Sequence, residues 1–167
     1  MSDNPEIDGG VFRQVLGNYP TGVTLVTAVD ENGPCAMVIG SFGSVSLDPQ
    51  LVQFMPTTTS GTWARIESSG SYCVNVLGAD QLDVCNGFFK PDGDPFDQVE
   101  WRTGITGSTI IEGCLAAIDC HVEVAHAAGD HYIGVGRVQD LAVGDSYAGH
   151  LLFFQGGYGE FSALGGD

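Results

Sequence analysis

Serines and glycines alternate with apolar residues in one stretch of the chain, residues 37–52, which is broken by Asp48-Pro49. The stretch offers three hydroxyls and two positions without side chains: Ser41, Ser44, Ser46, Gly40 and Gly43. Such a segment can let a flat ligand lie against its backbone, because glycine removes the side chains that would block close approach. The same composition is also typical of an ordinary strand in a β-barrel, so both interpretations stay open at this point.

A second candidate site lies at Ser60 and Thr62, where a helix begins. The first backbone N–H groups of a helix have no partner within the helix, and with the helix dipole they can bind a phosphate. Ordinary capping by Ser60 is the more common use of such residues. If the ligand carries a phosphate, its charge partners must come from the five cations: Arg13, Arg65, Lys90, Arg102 and Arg137.

His131 follows Gly129-Asp130 at a predicted turn just before a strand, where its ring can contact a second bound substrate. A plain surface histidine is the alternative. Cysteines and histidines are also close in sequence from residue 114 to 131, but the period of a strand places Cys120 and His121 on opposite faces. We therefore expect no metal site. Asp119, His121 and Glu123 share a face, which is predicted to be solvated.

The composition indicates a single domain, residues 1–167, with a mainly β fold. The 167 residues are 43% hydrophobic and include 25 glycines. The five cysteines lie mostly in apolar segments without metal-ligand spacing, so they are predicted to be buried free thiols in a reducing compartment. The acidic N-terminus does not resemble a signal peptide and no segment is long enough to span a membrane, so we expect a cytoplasmic protein. A formal charge of −16 argues against nucleic acid or anionic membranes as partners.

The pattern along the chain predicts short strands with a few short helices. Helices are expected at 8–17, 60–70 and 79–85, and strands at 22–28, 34–39, 51–55, 72–76, 116–125, 132–138 and 151–154, with a hairpin turn at 30–33 and a loop at 90–97. In the strand at 116–125, the even-numbered residues from Ala116 to Val124 are expected to face the core. This set of elements favours a closed or split antiparallel barrel.

Six segments form an ordered set along the chain: FRQVLG (12–17), PTGVTLVT (20–27), SFGSVSLDP (41–49), CVNVL (73–77), IEGCLA (111–116) and GDHYIGVGRV (129–138). Taken in this order, they resemble the short-chain flavin reductase family. The resemblance covers about residues 11–158 and implies an antiparallel, Greek-key split β-barrel that binds FMN. It also implies a homodimer, NAD(P)H-dependent reduction of FMN or FAD by hydride transfer from the nicotinamide C4 to the flavin N5, and delivery of the reduced flavin to a separate monooxygenase.

The resemblance assigns site residues position by position. The flavin ring is expected against Ile39, Gly40, Ser41, Phe42, Ser44, Val45 and Ser46. The phosphate is expected near Met55, Pro56, Thr57, Ser60, Gly61 and Thr62, with Phe88 and Lys90 closing over it. Gly129 and Asp130 are expected to face the nicotinamide, together with His131, the one candidate catalytic residue. Because cations that can hold a 2′-phosphate are few, NADH is expected in preference to NADPH.

The chain departs from the family pattern at three places, two of which are expected to weaken flavin binding. Val38-Ile39-Gly40 replaces polar residues that usually precede the Ser-Phe pair, and Gln50 replaces a second proline. Residues 57–59 are threonines where a lysine or arginine is usual, so phosphate binding would depend on Lys90 or Arg65. A non-catalytic flavin-binding or carrier protein, or an accessory subunit of a monooxygenase complex, is therefore the alternative.

Overall fold

A computed structural model describes residues 7–145 and 148–164, and most of its regular structure is β. The helices are α1 (Gly9–Leu16), α2 (Gly61–Ser69) and α3 (Leu82–Phe89). The strands are β1 (Thr21–Gly22), β2 (Thr24–Asp30), β3 (Gly33–Ile39), β4 (Gly43–Leu47), β5 (Gln50–Phe54), β6 (Ser71–Val76), β7 (Trp101–Thr103), β8 (Thr109–Ile111), β9 (Ala116–Ala128), β10 (His131–Val143), β11 (Leu151–Phe154) and β12 (Gly157–Glu160).

The strands form three antiparallel sheets. The main sheet has seven strands in the order β3-β2-β6-β9-β10-β5-β4, and two smaller sheets have the orders β1-β11-β12 and β7-β8. The chain crosses from one edge of the main sheet to the other between β3 and β4, and it returns between β5 and β6. The fold is thus an antiparallel split barrel with short helices, as predicted.

The core is built around three aromatic side chains. Phe54 packs edge-on against Trp63 and Tyr72, with ring centroids 5.5 and 5.2 Å apart. Trp63 and Tyr72 both pack against β10 at glycines. A Cβ at Gly134 would lie 2.9 Å from Trp63, and one at Gly136 would overlap the Tyr72 hydroxyl. The two glycines in β10 therefore serve close packing.

The polar face predicted for β9 is wrong at Asp119. This carboxylate is only 1% exposed and accepts a hydrogen bond from Thr106 N at 3.0 Å. The β7–β8 hairpin, which the pattern did not predict, covers this face of the sheet. His121 and Glu123 are exposed, as expected.

The alternation predicted for β9 is also wrong at its far end. The register between β9 and β10 shifts after Val135. Val135 faces Val124, but the next residue, Gly136, faces Val122. The extra residue of this bulge is Glu123, so the alternation reverses beyond it. Ala125 packs against the core, whereas Val124 is exposed.

Several other predictions can be compared with the structure. The helix expected at 79–85 is a 3-10 turn, Ala79–Gln81, followed by α3, and the loop at 90–97 contains part of a second such turn, Pro95–Gln98. The strand β12 was not predicted. All five cysteines are buried free thiols, as expected. Within residues 7–145 and 148–164, no helix is long and apolar enough to cross a membrane.

Candidate active site

The chain between β3 and β4 forms a partly exposed segment that is hydrogen-bonded to β5. Ser41 Oγ accepts a hydrogen bond from Met55 N at 2.9 Å. The side chain of Ile39 is buried in the core, so this residue offers only its backbone to a ligand. At Gly40 a Cβ would lie 2.8 Å from Thr21 Oγ1, so the absence of a side chain at residue 40 leaves room for the Thr21 side chain of β1.

Strand β4 continues this segment along the edge of the main sheet. It pairs only with β5, so the backbone groups of its outer side have no strand partner in the described chain. Ser44 and Val45 are exposed and Ser46 is half-buried, while Phe42 packs partly against the core. A register shift between Ser44 and Ser46 makes Val45 a bulged residue. The part of β4 that is predicted to contact the flavin ring is therefore an open sheet edge that presents hydroxyl and backbone groups.

The segment expected near the phosphate leads into α2. Ser60 Oγ accepts from Trp63 N at 3.1 Å, which is ordinary capping. No acceptor in the described part of the chain contacts Gly61 N or Thr62 N, and no atom lies within 4 Å of the place where a Gly61 Cβ would be. The helix thus still presents two backbone N–H groups. Met55 and Thr57 are exposed, whereas Pro56 is buried.

The turn between β9 and β10 carries the candidate nicotinamide residues. Gly129 has a φ of 67°, which favours glycine, and His131 Nδ1 lies 2.7 Å from Asp130 Oδ1. This hydrogen bond and the charge of the imidazolium lower the pKa of Asp130 below its ordinary value. The His131 side chain is 42% exposed, so it remains accessible to a ligand.

The structure brings this turn against the segment expected near the phosphate. Thr58 N donates to Asp130 O at 2.9 Å, and Tyr132 N donates to Pro56 O at 2.9 Å. Met55 N also donates a hydrogen bond to Ser41 Oγ. Hydrogen bonds therefore connect the β3–β4 segment, residues 55–58 and the β9–β10 turn into one strip of backbone. The segment predicted for the flavin phosphate therefore lies beside the turn predicted for the nicotinamide.

A cleft of about 660 Å³ opens at the other end of this strip. Two predicted residues line it, Gly40 and Lys90. Phe88 instead faces inward and packs on Phe96 at 4.9 Å, while its neighbour Phe89 lines the cleft. The lining residues that the sequence analysis missed are Thr21, Val23, Val38, Asn86, Phe89, Phe153 and Tyr158. Several belong to strands that were predicted, but the pattern did not show that β1 and β11 meet α3.

Ion pairs engage three of the five cations. Arg65, a candidate phosphate partner, binds both carboxylate oxygens of Asp30, at 2.8 and 2.6 Å, and also Gly33 O. The Arg65 guanidinium thus has its Nε and Nη2 engaged by Asp30 and Gly33, which makes it a weaker candidate for a phosphate than Lys90. The other two pairs are Arg102–Glu112 and Arg137–Glu123. Lys90 makes no ion pair in the described chain and lines the cleft.

The residues present fit a flavin. The segment from Gly40 to Ser46 offers backbone and hydroxyl groups to a flat ring. Lys90 places a positive charge in the adjoining apolar cleft, and the start of α2, outside the cleft, supplies free N–H groups. In the described chain no three His, Cys, Asp or Glu side chains lie close enough together to hold a metal ion.

Comparison with known proteins agrees with this geometry. A family model described as "Flavin reductase like domain" matches residues 16–162. A flavin reductase of Pseudomonas putida is 50% identical over 159 residues, covering 95% of this chain and 93% of that one. The FMN reductase (NADH) SmoA of Agrobacterium fabrum is 42% identical over 152 residues, covering 90% and 85%. The crystal structure of nitrilotriacetate monooxygenase component B from Mycobacterium thermoresistibile superimposes with a TM-score of 0.89 at 42% identity, covering 92% of this chain and 86% of that one.

Proposed function

The chain belongs to the flavin reductase like domain family, and from this premise we infer that it is an NAD(P)H-dependent flavin reductase that supplies reduced FMN or FAD to a partner monooxygenase. The observation that carries the proposal is the continuity of the site. A cleft containing the unpaired Lys90 begins at Gly40, and the backbone strip beyond it leads to His131. A flavin and a nicotinamide bound along this strip would be held on one connected backbone surface.

The chain contributes binding and orientation to the reaction. Lys90 in the cleft is the proposed contact of the flavin phosphate, and the free N–H groups of Gly61 and Thr62 at the start of α2 are the alternative phosphate site. The edge of β4 holds the ring system. The bond to Asp130 occupies His131 Nδ1 and leaves Nε2 to orient the nicotinamide. When bound, the flavin supplies the hydride acceptor, so the residues need only align the two rings.

The charges of the chain favour NADH over NADPH. Arg137 is the cation nearest in sequence to His131, and both its Nε and Nη2 bind the carboxylate of Glu123 at 2.8 Å. A 2′-phosphate would have to break this pair or lie unpaired on a chain of charge −16. The relative SmoA carries NADH in its name.

A second copy of the chain is the proposed immediate partner. No residue of α1 is buried in the described chain, although Val11, Phe12, Val15 and Leu16 form an apolar face. Exposed aromatic residues of β11 and beyond, Phe154 and Phe161, add to the apolar surface. A homodimer would bury such surfaces. Light scattering should give twice the monomer mass of 17.5 kDa, and a monomer that is active at full rate would refute the need for a second copy.

The remaining assignments follow from the family. The solved neighbour is a monooxygenase component, which supports a separate monooxygenase as the consumer of reduced flavin. We also propose that residues 1–167 act as one domain, and that the protein is cytoplasmic, where its five buried thiols would stay reduced.

Anaerobic mixing tests the proposed activity. Each pairing of FMN or FAD with NADH or NADPH is mixed with the protein while nicotinamide absorbance is followed. Turnover with NADH and at least one flavin is expected. Tight flavin binding without turnover would indicate a carrier instead, and neither binding nor turnover would favour an accessory subunit.

A further inference from the structure

Gln53 joins β5 to the segment between β3 and β4. Its Nε2 donates a hydrogen bond to Ser41 O at 3.2 Å. Ser41 and Phe42 lie outside the strands, so side-chain hydrogen bonds replace ladder hydrogen bonds here. The Gln53 amide and the Ser41 hydroxyl, which accepts from Met55 N, together fix this segment on β5.

The surroundings of Gln53 fit this contact. It pairs with Gly43 of β4 and with Val135 of β10. By the period of a strand, Val135 shares its face with His131, so Gln53 lies on the same side of the sheet as the candidate nicotinamide residue. A Cβ at Gly43 would lie 3.3 Å from Gln53 Nε2, so the glycine leaves room for the amide.

Stability alone gives little reason for an amide at this position. Gln53 Oε1 is buried and finds no hydrogen-bond donor among the residues that the structure describes. A buried acceptor without a partner lowers stability, and an apolar side chain of similar shape avoids that loss. The amide therefore suits a role in which the bond to Ser41 O matters more than the stability of the fold.

We propose that Gln53 is a positioning residue for flavin binding. By holding the Ser41 carbonyl, it sets the direction of the backbone from Gly40 to Gly43, the segment on which the ring is expected to lie. Gln53 acts through this backbone and touches no reacting atom. The inference rests on the proposed function, because it assumes that this segment binds flavin.

The test compares Gln53→Met with Gln139→Met. Met has a similar length but cannot donate an N–H. Gln139 is a matched control, because its Nε2 also donates to a backbone carbonyl, Arg137 O at 3.1 Å, at an exposed position. We expect Gln53→Met to raise the KM and Kd for FMN about tenfold, which corresponds to about 1.4 kcal/mol. The KM for NADH should stay within about twofold and the Tm should not fall. The control should change none of these quantities.

A second variant and the wild type distinguish a failure of the positioning role from a failure of the proposed function. Gln53→Glu also lacks the N–H donor, so it should lose FMN affinity as Gln53→Met does. If the wild type turns over flavin and both variants keep its KM for FMN, the positioning role is wrong and the proposed function stands. A lower Tm with unchanged FMN affinity would also overturn the positioning role, because it would mean that Gln53 only stabilises the fold. If the wild type neither binds nor reduces flavin, the proposed function fails and the inference fails with it.

Discussion

Replacing Lys90 tests whether the cleft binds the flavin phosphate. Lys90 lines the cleft without an ion pair in the described chain, so Lys90→Met should remove a charge that is available to a ligand. An exposed ion pair contributes about 0.2–1 kcal/mol and a hydrogen bond to a charged group about 1.5–3 kcal/mol. For an exposed lysine at a half-enclosed cleft we expect a loss of about 1–2 kcal/mol, which raises the Kd for FMN roughly fivefold to thirtyfold.

The control for this experiment is Arg102→Met. It removes the same unit of charge from a protein of formal charge −16, but Arg102 lines a different cavity and pairs with Glu112. At physiological salt the Debye length is about 8 Å, so a distant charge acts weakly. The change in Kd caused by Arg102→Met should therefore stay below about twofold.

Titration of flavin fluorescence measures both variants at low and high salt. The difference between wild type and Lys90→Met should shrink as salt rises, because screening weakens the contact. Equal losses of affinity in the two variants would mean that only overall charge matters. An unchanged Kd for Lys90→Met would place the phosphate elsewhere.

Three further predictions follow from contacts described above. Gly136→Ala forces a Cβ into the Tyr72 hydroxyl, so it should lower stability by about 1–3 kcal/mol in a denaturant titration; an unchanged midpoint would show that the ring can move aside. His131→Ala should raise the KM for NADH about tenfold and leave that for FMN nearly unchanged; equal losses would remove His131 from the nicotinamide site. Arg65 lowers the pKa of Asp30, so Asp30→Asn should be less stable than wild type at pH 7. In thermal melts this difference should shrink progressively as the pH falls below the ordinary aspartate value of about 3.9 towards the lowered pKa of the folded state; a constant difference would exclude the ion pair as its cause.

Features that depend on a few neighbouring residues could be predicted from the sequence. The turn before Gly33 and the caps Asp8 and Ser60 lie where their patterns indicate. Each depends on local chemistry, since a glycine with positive φ or a side chain that accepts from the first turn of a helix needs no distant partner.

Features that depend on distant pairings could not be predicted. The burial of Asp119 requires the β7–β8 hairpin, whose strands have only three residues each and give no clear period. The ion pair that engages Arg65 requires Asp30, 35 residues away. The cleft needs Phe153 and Tyr158 from the far end of the chain, and no local pattern indicates that they reach α3.

The hydrogen bonds between residues 56–58 and the β9–β10 turn have a thermodynamic consequence. Thr58 holds Asp130 O through both its backbone N–H and its hydroxyl, and Tyr132 N holds Pro56 O. If a ligand orders one of these segments when it binds, the hydrogen bonds also order the other segment. The second ligand then binds with a smaller loss of conformational entropy. Because linkage is reciprocal, NADH must tighten flavin binding by the same factor by which flavin tightens NADH binding.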